Sequence, residues 1–159
     1  MLRNMTSIYI INNDKILLLY RIGSRVVSPS WCGIGGHFEK EELNNPKACV
    51  LRELLEETGI TVNDVEHVKL NYITLLNKIN EIRQNYYYFT TLINKNIKID
   101  SCNEGTLEWV STDQILEKEM PFTAKQCLKH YLSTGKNNDK IYAGIITNKH
   151  AILNELNEF

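Results

Sequence analysis

This sequence lacks paired cysteines. Its four, Cys32, Cys49, Cys102 and Cys127, are scattered and form no CxxC motif. That argues against a disulfide framework or a thiolate zinc site and leaves isolated free thiols in or beside a core. Charge of one sign is lacking too. Lys+Arg number 18 and Asp+Glu 19, a formal net charge of -1, so no global basic field exists to hold a long nucleic acid. A small nucleotide needs only a local site and stays open. Long apolar runs are missing as well. The longest early one, Ile16–Tyr20, is far too short for a bilayer. Asn4, Thr6, Asn12 and Asn13 interrupt the stretch where a signal peptide would place its apolar core. The expectation is a cytoplasmic protein with no membrane partner. Repeats, low-complexity tracts and linkers are absent, so residues 1–159 read as a single domain. Nothing in the sequence fixes the oligomeric state.

What is present has the punctuation of a mixed α/β (α+β) domain. Ser7–Asn12 and Lys15–Arg21 are short apolar runs joined by Asn12-Asn13-Asp14, which is hairpin chemistry. A loop with Gly33, Gly35 and Gly36 follows, where tight turns or close approach of a ligand are favoured. Pro46–Thr58 reads as a helix, with Asn45 to cap it, Pro46 in its first turn and Gly59 to stop it. Strands are expected near Val65–Leu76, Ile82–Ile93 and Thr106–Val110, with Asn77–Asn80 turning between the first two. A helical turn at Thr112–Glu117, a helix at Pro121–Leu132 and a last strand at Lys140–Thr147 complete the pattern. Residues 148–159 fit either a docked helix or a frayed tail.

The strongest chemical signal is Arg52-Glu53-Leu54-Leu55-Glu56-Glu57-Thr58-Gly59-Ile60. At about 100° per residue, Ala48, Val50, Leu51, Leu54 and Leu55 share an arc of roughly 160° that predicts packing on a sheet. Glu53, Glu56 and Glu57 fall opposite. Their i,i+3 and i,i+4 repulsions destabilise a helix by about 0.2–0.5 kcal/mol per pair, and they stand near its C-terminus, where the dipole disfavours anions. Arg52 offsets part of this. A hard cation such as Mg2+, which prefers oxygen ligands, would offset the rest. The plain alternative is a solvated acidic surface. The glycine-rich loop just before the helix favours a phosphate–metal site instead.

Gly35-Gly36-His37-Phe38-Glu39, Glu42, and the run from Arg52 to Ile60 resemble the Nudix box, G-x5-E-x7-R-E-U-x-E-E-x-G-U, where U is aliphatic. Gly36 and Glu42 have the x5 spacing, and the second half matches throughout. The departure is nine residues, Leu43–Leu51, where the pattern has seven. It reads as a two-residue insertion near Leu43-Asn44-Asn45, which puts the role of Glu42 in question and makes Glu39 a partial substitute. Trp31 and Leu107-Glu108-Trp109-Val110 resemble the wider domain. Met120-Pro121-Phe122-Thr123-Ala124-Lys125 contributes to a likeness with the MutT-type branch, often assigned to oxidised purine nucleotides such as 8-oxo-dGTP.

The resemblance implies a Nudix fold, a mixed β-sheet sandwiched between helices. It also implies Mg2+, with Mn2+ able to substitute, and a small nucleotide substrate. On that basis Glu56 and Glu57 are expected metal ligands, and the Gly36 carbonyl a backbone ligand. Glu53 is a ligand through water or the base for the attacking water. Arg52 orients a glutamate or serves only as a helix residue. Glu104, in the loop before Thr106–Val110, is the candidate glutamate outside the box, or else a surface turn residue. Arg21 and Arg25 are candidate phosphate ligands, or solvated side chains. Tyr86-Tyr87-Tyr88-Phe89 offers stacking rings, and alternation predicts half of it inside and half outside. His37, His67, His130 and His150 show no ligand spacing.

Three functions compete. The leading one is hydrolysis of a nucleoside triphosphate such as 8-oxo-dGTP to a monophosphate and pyrophosphate. The second is cleavage of ADP-ribose, NADH or a sugar nucleotide. The third, of another class, is a non-catalytic nucleotide-binding regulatory domain. That one would be expected to lose a box carboxylate, and all three are present.

Overall fold

The computed structural model describes residues 1–22, 28–99, 102–147 and 149–158. The chain runs β1 (Leu2–Asn12), β2 (Lys15–Arg21), β3 (Ser30–Cys32), α1 (Pro46–Thr58), β4 (Val65–Lys78), β5 (Glu81–Leu92), β6 (Gly105–Ser111), α2 (Phe122–Ser133), β7 (Ile141–Ile146) and β8 (Ala151–Leu156). The expected hairpin forms. β1 and β2 pair antiparallel over Ile10–Asn12 and Lys15–Leu17, and Asn13 takes the left-handed conformation at its tip (φ 55°). β1 begins five residues earlier than its apolar run, because Leu2–Ile11 pairs in parallel with β5. Parallel pairing is satisfied by backbone, so polar Arg3, Asn4 and Thr6 extend the strand.

The sheet is mixed, with parallel β1–β5 and β4–β7 pairs and antiparallel pairs elsewhere. β6 covers all of one edge of β2. The other edge is shared by β1 at Lys15–Leu17 and β3 at Leu19–Arg21. β1 and β2 therefore fork, and the chain after β3 fills the gap. Ile34 bridges Ile8 and His37 bridges Met5. Thr6 N–H donates to the Gly36 carbonyl (2.9 Å), and Phe38 N–H to the Asn4 carbonyl (3.3 Å).

Alternation splits the core into two layers. Ile8, Ile10, Leu17 and Tyr88 pack against Val50 and Leu54 of α1. Tyr9, Ile16, Leu18, Tyr87 and Phe89 pack against Ala124, Cys127 and Leu128 of α2. Helices thus cover both faces, so the aromatic run serves core packing on either side of the sheet, with more than the expected half of it inside. Tyr87, Tyr88 and Phe89 are all buried, and Tyr86 packs on Phe38. The C-terminal expectation needs correction. Residues Ala151–Leu156 form neither helix nor tail but an antiparallel edge strand on β7. The alternation there is masked because Ile152, Asn154 and Leu156 are exposed. Among the described residues, no helix is long and apolar enough to cross a membrane.

Candidate active site

α1 has the bounds its caps dictate. The Asn45 carboxamide accepts from Ala48 N–H (3.1 Å), and Gly59 ends the helix at φ 73°. Its buried face is not the predicted one. Cys49, Val50, Leu54, Glu57 and Thr58 are buried, while Leu55 is 52% exposed and Ala48 lies in solvent. Relative to the wheel the buried arc is turned by about 90°. Turning it places Glu57, only 7% exposed, beneath the glycine loop. The three box glutamates therefore do not share one solvated face.

Two arginines divide the carboxylates. Arg52 is the first hub. Its Nε and Nη2 donate to the two oxygens of Glu42 (2.8 and 2.9 Å), its Nη1 to Glu53 (2.9 Å) and Glu56 (3.0 Å), and its Nη2 also to the His37 carbonyl (3.1 Å). Such a fork-on-carboxylate pair is strong and directional. Arg52 hydrogen bonds, with Glu39 N–H, hold the Glu42 carboxyl down at about 2. The insertion after Glu42 falls in the short loop Leu43–Asn45, between the Lys40–Glu42 3-10 turn and the start of α1. Glu42, not Glu39, thus fills the first-glutamate position. The exposed Glu39 carboxylate stays 3.9 Å from Arg52 Nε.

Arg21 is the second hub. Its Nη2 lies 2.6 Å from Glu57 Oε1, 2.6 Å from Glu104 Oε2 and 3.1 Å from the Gly35 carbonyl oxygen. Glu57 Oε2 accepts from Gly35 N–H (3.0 Å). Glu104 reaches the site because β6 pairs with β2 so that Gly105 faces Arg21. Burial raises the Glu57 pKa against the opposing pull of Arg21 and Gly35 N–H. Burial also raises Glu53, against the hydrogen bond from Arg52.

Two glycines are required. Gly35 has φ 150°, and a side chain there would strike the Thr6 backbone. At Gly36 an added Cβ would sit 2.5 Å from Glu53 Oε1, so the bare backbone lets this carboxylate close on the loop.

The expected residues are thus brought together in two groups, Arg52 with Glu53 and Glu56, and Arg21 with Glu57 and Glu104. The Gly36 carbonyl is engaged by Thr6 of β1, and it is the Gly35 carbonyl that faces the carboxylates. Arg25 lies outside the described residues. Among the described residues, no three His, Cys, Asp or Glu side chains converge into a ready metal cluster. Like charges have separated onto two guanidinium groups instead. The donor chemistry nonetheless fits a hard cation: three oxygens, from Glu57, Glu104 and Gly35, already surround one positive nitrogen.

A cavity of about 490 Å³ opens beside Arg21 and Gly35 on the α2 side of the sheet. Ser7 of β1, Asn85 and Tyr87 of β5, and Phe122 and Thr123 at the start of α2 line it. Reading the sequence for motifs missed this wall. Its signal was Arg3 and Ser7 on one strand and Arg83, Asn85 and Tyr87 on the other, polar groups at alternate positions of two strands that face a helix.

The NUDIX domain profile matches residues 1–131. The chain belongs to the NUDIX domain family. It is a Nudix hydrolase by that membership and by its likeness to a MutT protein. A mutator MutT protein from Bacillus halodurans is 25% identical, with a TM-score of 0.69 over 95% of this chain and 97% of that one. A MutT protein from Methanosarcina mazei is 22% identical, with a TM-score of 0.67 over 85% of this chain and 96% of the other. An ADP-ribose pyrophosphatase from Streptococcus suis is 16% identical, with a TM-score of 0.64 over 91% and 98%. The last two likenesses speak to the fold alone. In Nudix terms, the loop–helix–loop of the box here runs from Gly36 to Ile60.

Proposed function

We propose that this Nudix hydrolase cleaves a phosphoanhydride bond in a small nucleotide, with residues 1–159 acting as one domain. The observation that carries this reading is the convergence of Glu57, Glu104 and the Gly35 carbonyl on a single cationic nitrogen. Those three oxygens, with Glu53 and Glu56 beside them, are the groups that would hold Mg2+ or Mn2+. When bound, the divalent ion would neutralise the anhydride oxygens and lower the pKa of water.

The chain's own residues do the rest. Glu53, held by Arg52 and raised by burial, accepts the proton of the attacking water. The water oxygen bonds to phosphorus, the phosphorus–bridging oxygen bond breaks, and the leaving phosphate takes the bond's electron pair. Arg52 is a positioning residue, since it touches Glu42, Glu53 and Glu56 together. Arg21, once the carboxylates are neutralised by another cation, is freed to bind a phosphate oxygen.

Two substrate readings follow. The MutT likeness supports a nucleoside triphosphate, with 8-oxo-dGTP as the leading compound, giving a monophosphate and pyrophosphate. Cations in the adjoining cavity favour the second reading, a diphosphate that links a nucleoside to another group, as in ADP-ribose, NADH or a sugar nucleotide. A turnover panel with Mg2+, wild type and Glu57→Gln separates them by product. Monophosphate plus pyrophosphate supports the first, and two monophosphates the second. Glu57→Gln should lose at least about 100-fold in kcat, in the range seen when a charge-stabilising group is removed. Full activity of that variant would remove Glu57 from the site. No turnover of any compound by wild type would favour a non-catalytic binding domain.

A further inference from the structure

A second concentration of charge lies outside the box, on the cavity wall. The parallel register of β1 and β5 sets Arg3 beside Arg83, and both line the cavity, as does Lys78 at the end of β4. Like charges placed directly opposite destabilise a strand pair. One carboxylate answers them. Glu81 lies 3.1 Å from Arg3 Nε and also pairs with Arg83. Three cations against this one carboxylate leave two positive charges uncompensated within the group. No Asp or Glu is among the described residues lining the cavity.

His37 does not add a carboxylate's worth of balance. Arg3 Nη1 lies 3.3 Å from His37 Nε2. Arginine only donates, so Nε2 accepts and the ring carries its proton on Nδ1. Burial, then the nearby Arg3, Arg21 and Arg83, lowers the His37 pKa and keeps it neutral. Arg83 is also poorly hydrated, with its side chain 12% exposed. A guanidinium so placed binds an anion more strongly than one in open solvent.

The spacing gives the shape of the ligand. The glycine loop meets β1 at Thr6, and Arg3 stands three residues away on the same strand. At about 3.3 Å per residue this is roughly 10 Å, room for a nucleoside between two anionic groups. We propose that the cavity accepts a nucleotide carrying a phosphomonoester remote from the bond that is cut, held by Arg3, Lys78 and Arg83. This rests on the nucleotide reading above and narrows it toward diphosphates that bear a further phosphate.

Mononucleotides without an anhydride bond test the site apart from catalysis. Calorimetric titration would compare the 5'-monophosphate, the 2',5'-bisphosphate and the 3',5'-bisphosphate of adenosine and of guanosine. At least one bisphosphate should bind wild type ten-fold or more tightly than its monophosphate. Lys78→Gln and Arg83→Gln should each bring that ratio within three-fold. Lys78 is exposed, so its variant keeps the test valid if Arg83→Gln fails to fold. Bisphosphates that bind no better than monophosphates, no measurable binding of any bisphosphate, or a preference that survives both substitutions would overturn the proposal. A bisphosphate preference in a protein that turns over no nucleotide anhydride would leave this site standing and overturn the catalytic reading instead.

Discussion

Glu42 and Glu57 are both buried carboxylates, yet their surroundings push them in opposite directions. Arg52 grips both oxygens of Glu42 and holds its pKa at about 2, below the ordinary carboxylate value. A depressed pKa contributes stability that is complete above the unfolded value and is lost as pH falls toward the folded one. Glu42→Gln should therefore destabilise the protein by about 2 kcal/mol at pH 7, after allowance for solvent screening. Urea titrations should show the gap to wild type closing between pH 4.5 and 2. A gap that persists unchanged at pH 2 would mean the carboxamide is disrupting packing, not the ion pair. Glu57 has the reverse sign. Burial raises its pKa, so the stability linked to it is present at low pH and lost as pH rises through the folded value.

At the level of elements, α1 is held by its caps but aimed by the glycine loop. These two roles separate experimentally. Asn45→Ala removes the acceptor for Ala48 N–H and should cost about 1 kcal/mol of stability with little change in kcat. Gly36→Ala places a methyl group against the Glu53 carboxylate and displaces it from the loop. It should reduce kcat at least about ten-fold, since small displacements of catalytic groups are expensive in rate. Chemical denaturation and steady-state kinetics on the two variants check this. Equal kinetic losses in both would show that helix stability, not carboxylate placement, limits turnover. The hinge between the roles is the fork of β1 and β2, which admits the loop between them.

For the whole molecule, the site is a place where the fold is short of positive charge. Glu57, Glu104, Glu53 and Glu56 share two arginines that also serve Glu42 and two backbone carbonyls. A divalent cation that binds only the folded state stabilises it by mass action. Mg2+ at 100 times its pH 8 Kd should add about 2.7 kcal/mol to wild type at pH 8, and the same concentration should add less at pH 6, where more of Glu57 is protonated. Thermal melts of wild type and Glu57→Gln, with and without Mg2+, test this. Glu57→Gln should melt no lower than wild type without metal at pH 8, and should gain little from Mg2+. An equal metal-induced shift in both proteins would place the cation elsewhere.

Local chemistry alone determined a good deal of this protein. Asn45, Pro46 and Gly59 set α1 to the residue, Asn13 set the first hairpin, and the Arg52–Ile60 run identified the family, because caps, turns and box spacing act over a few residues. Glu104 stood out by its place before a strand, and pairing of β6 with β2 sets its carboxylate 2.6 Å from Arg21. The tertiary structure decided which way α1 faces, because burial of Glu57 depends on Arg21 and Gly35, which are distant in sequence. It paired the Gly36 carbonyl with Thr6 of β1 and the Gly35 carbonyl with Arg21. It returned Glu42 to Arg52 despite the insertion, because the loop Leu43–Asn45 turns back on Glu42, whose carbonyl accepts from Asn45 N–H (2.7 Å). It also made Ala151–Leu156 a strand and put Arg3 beside Arg83. Those outcomes depend on strand register, and register is set by pairing between segments far apart in the chain.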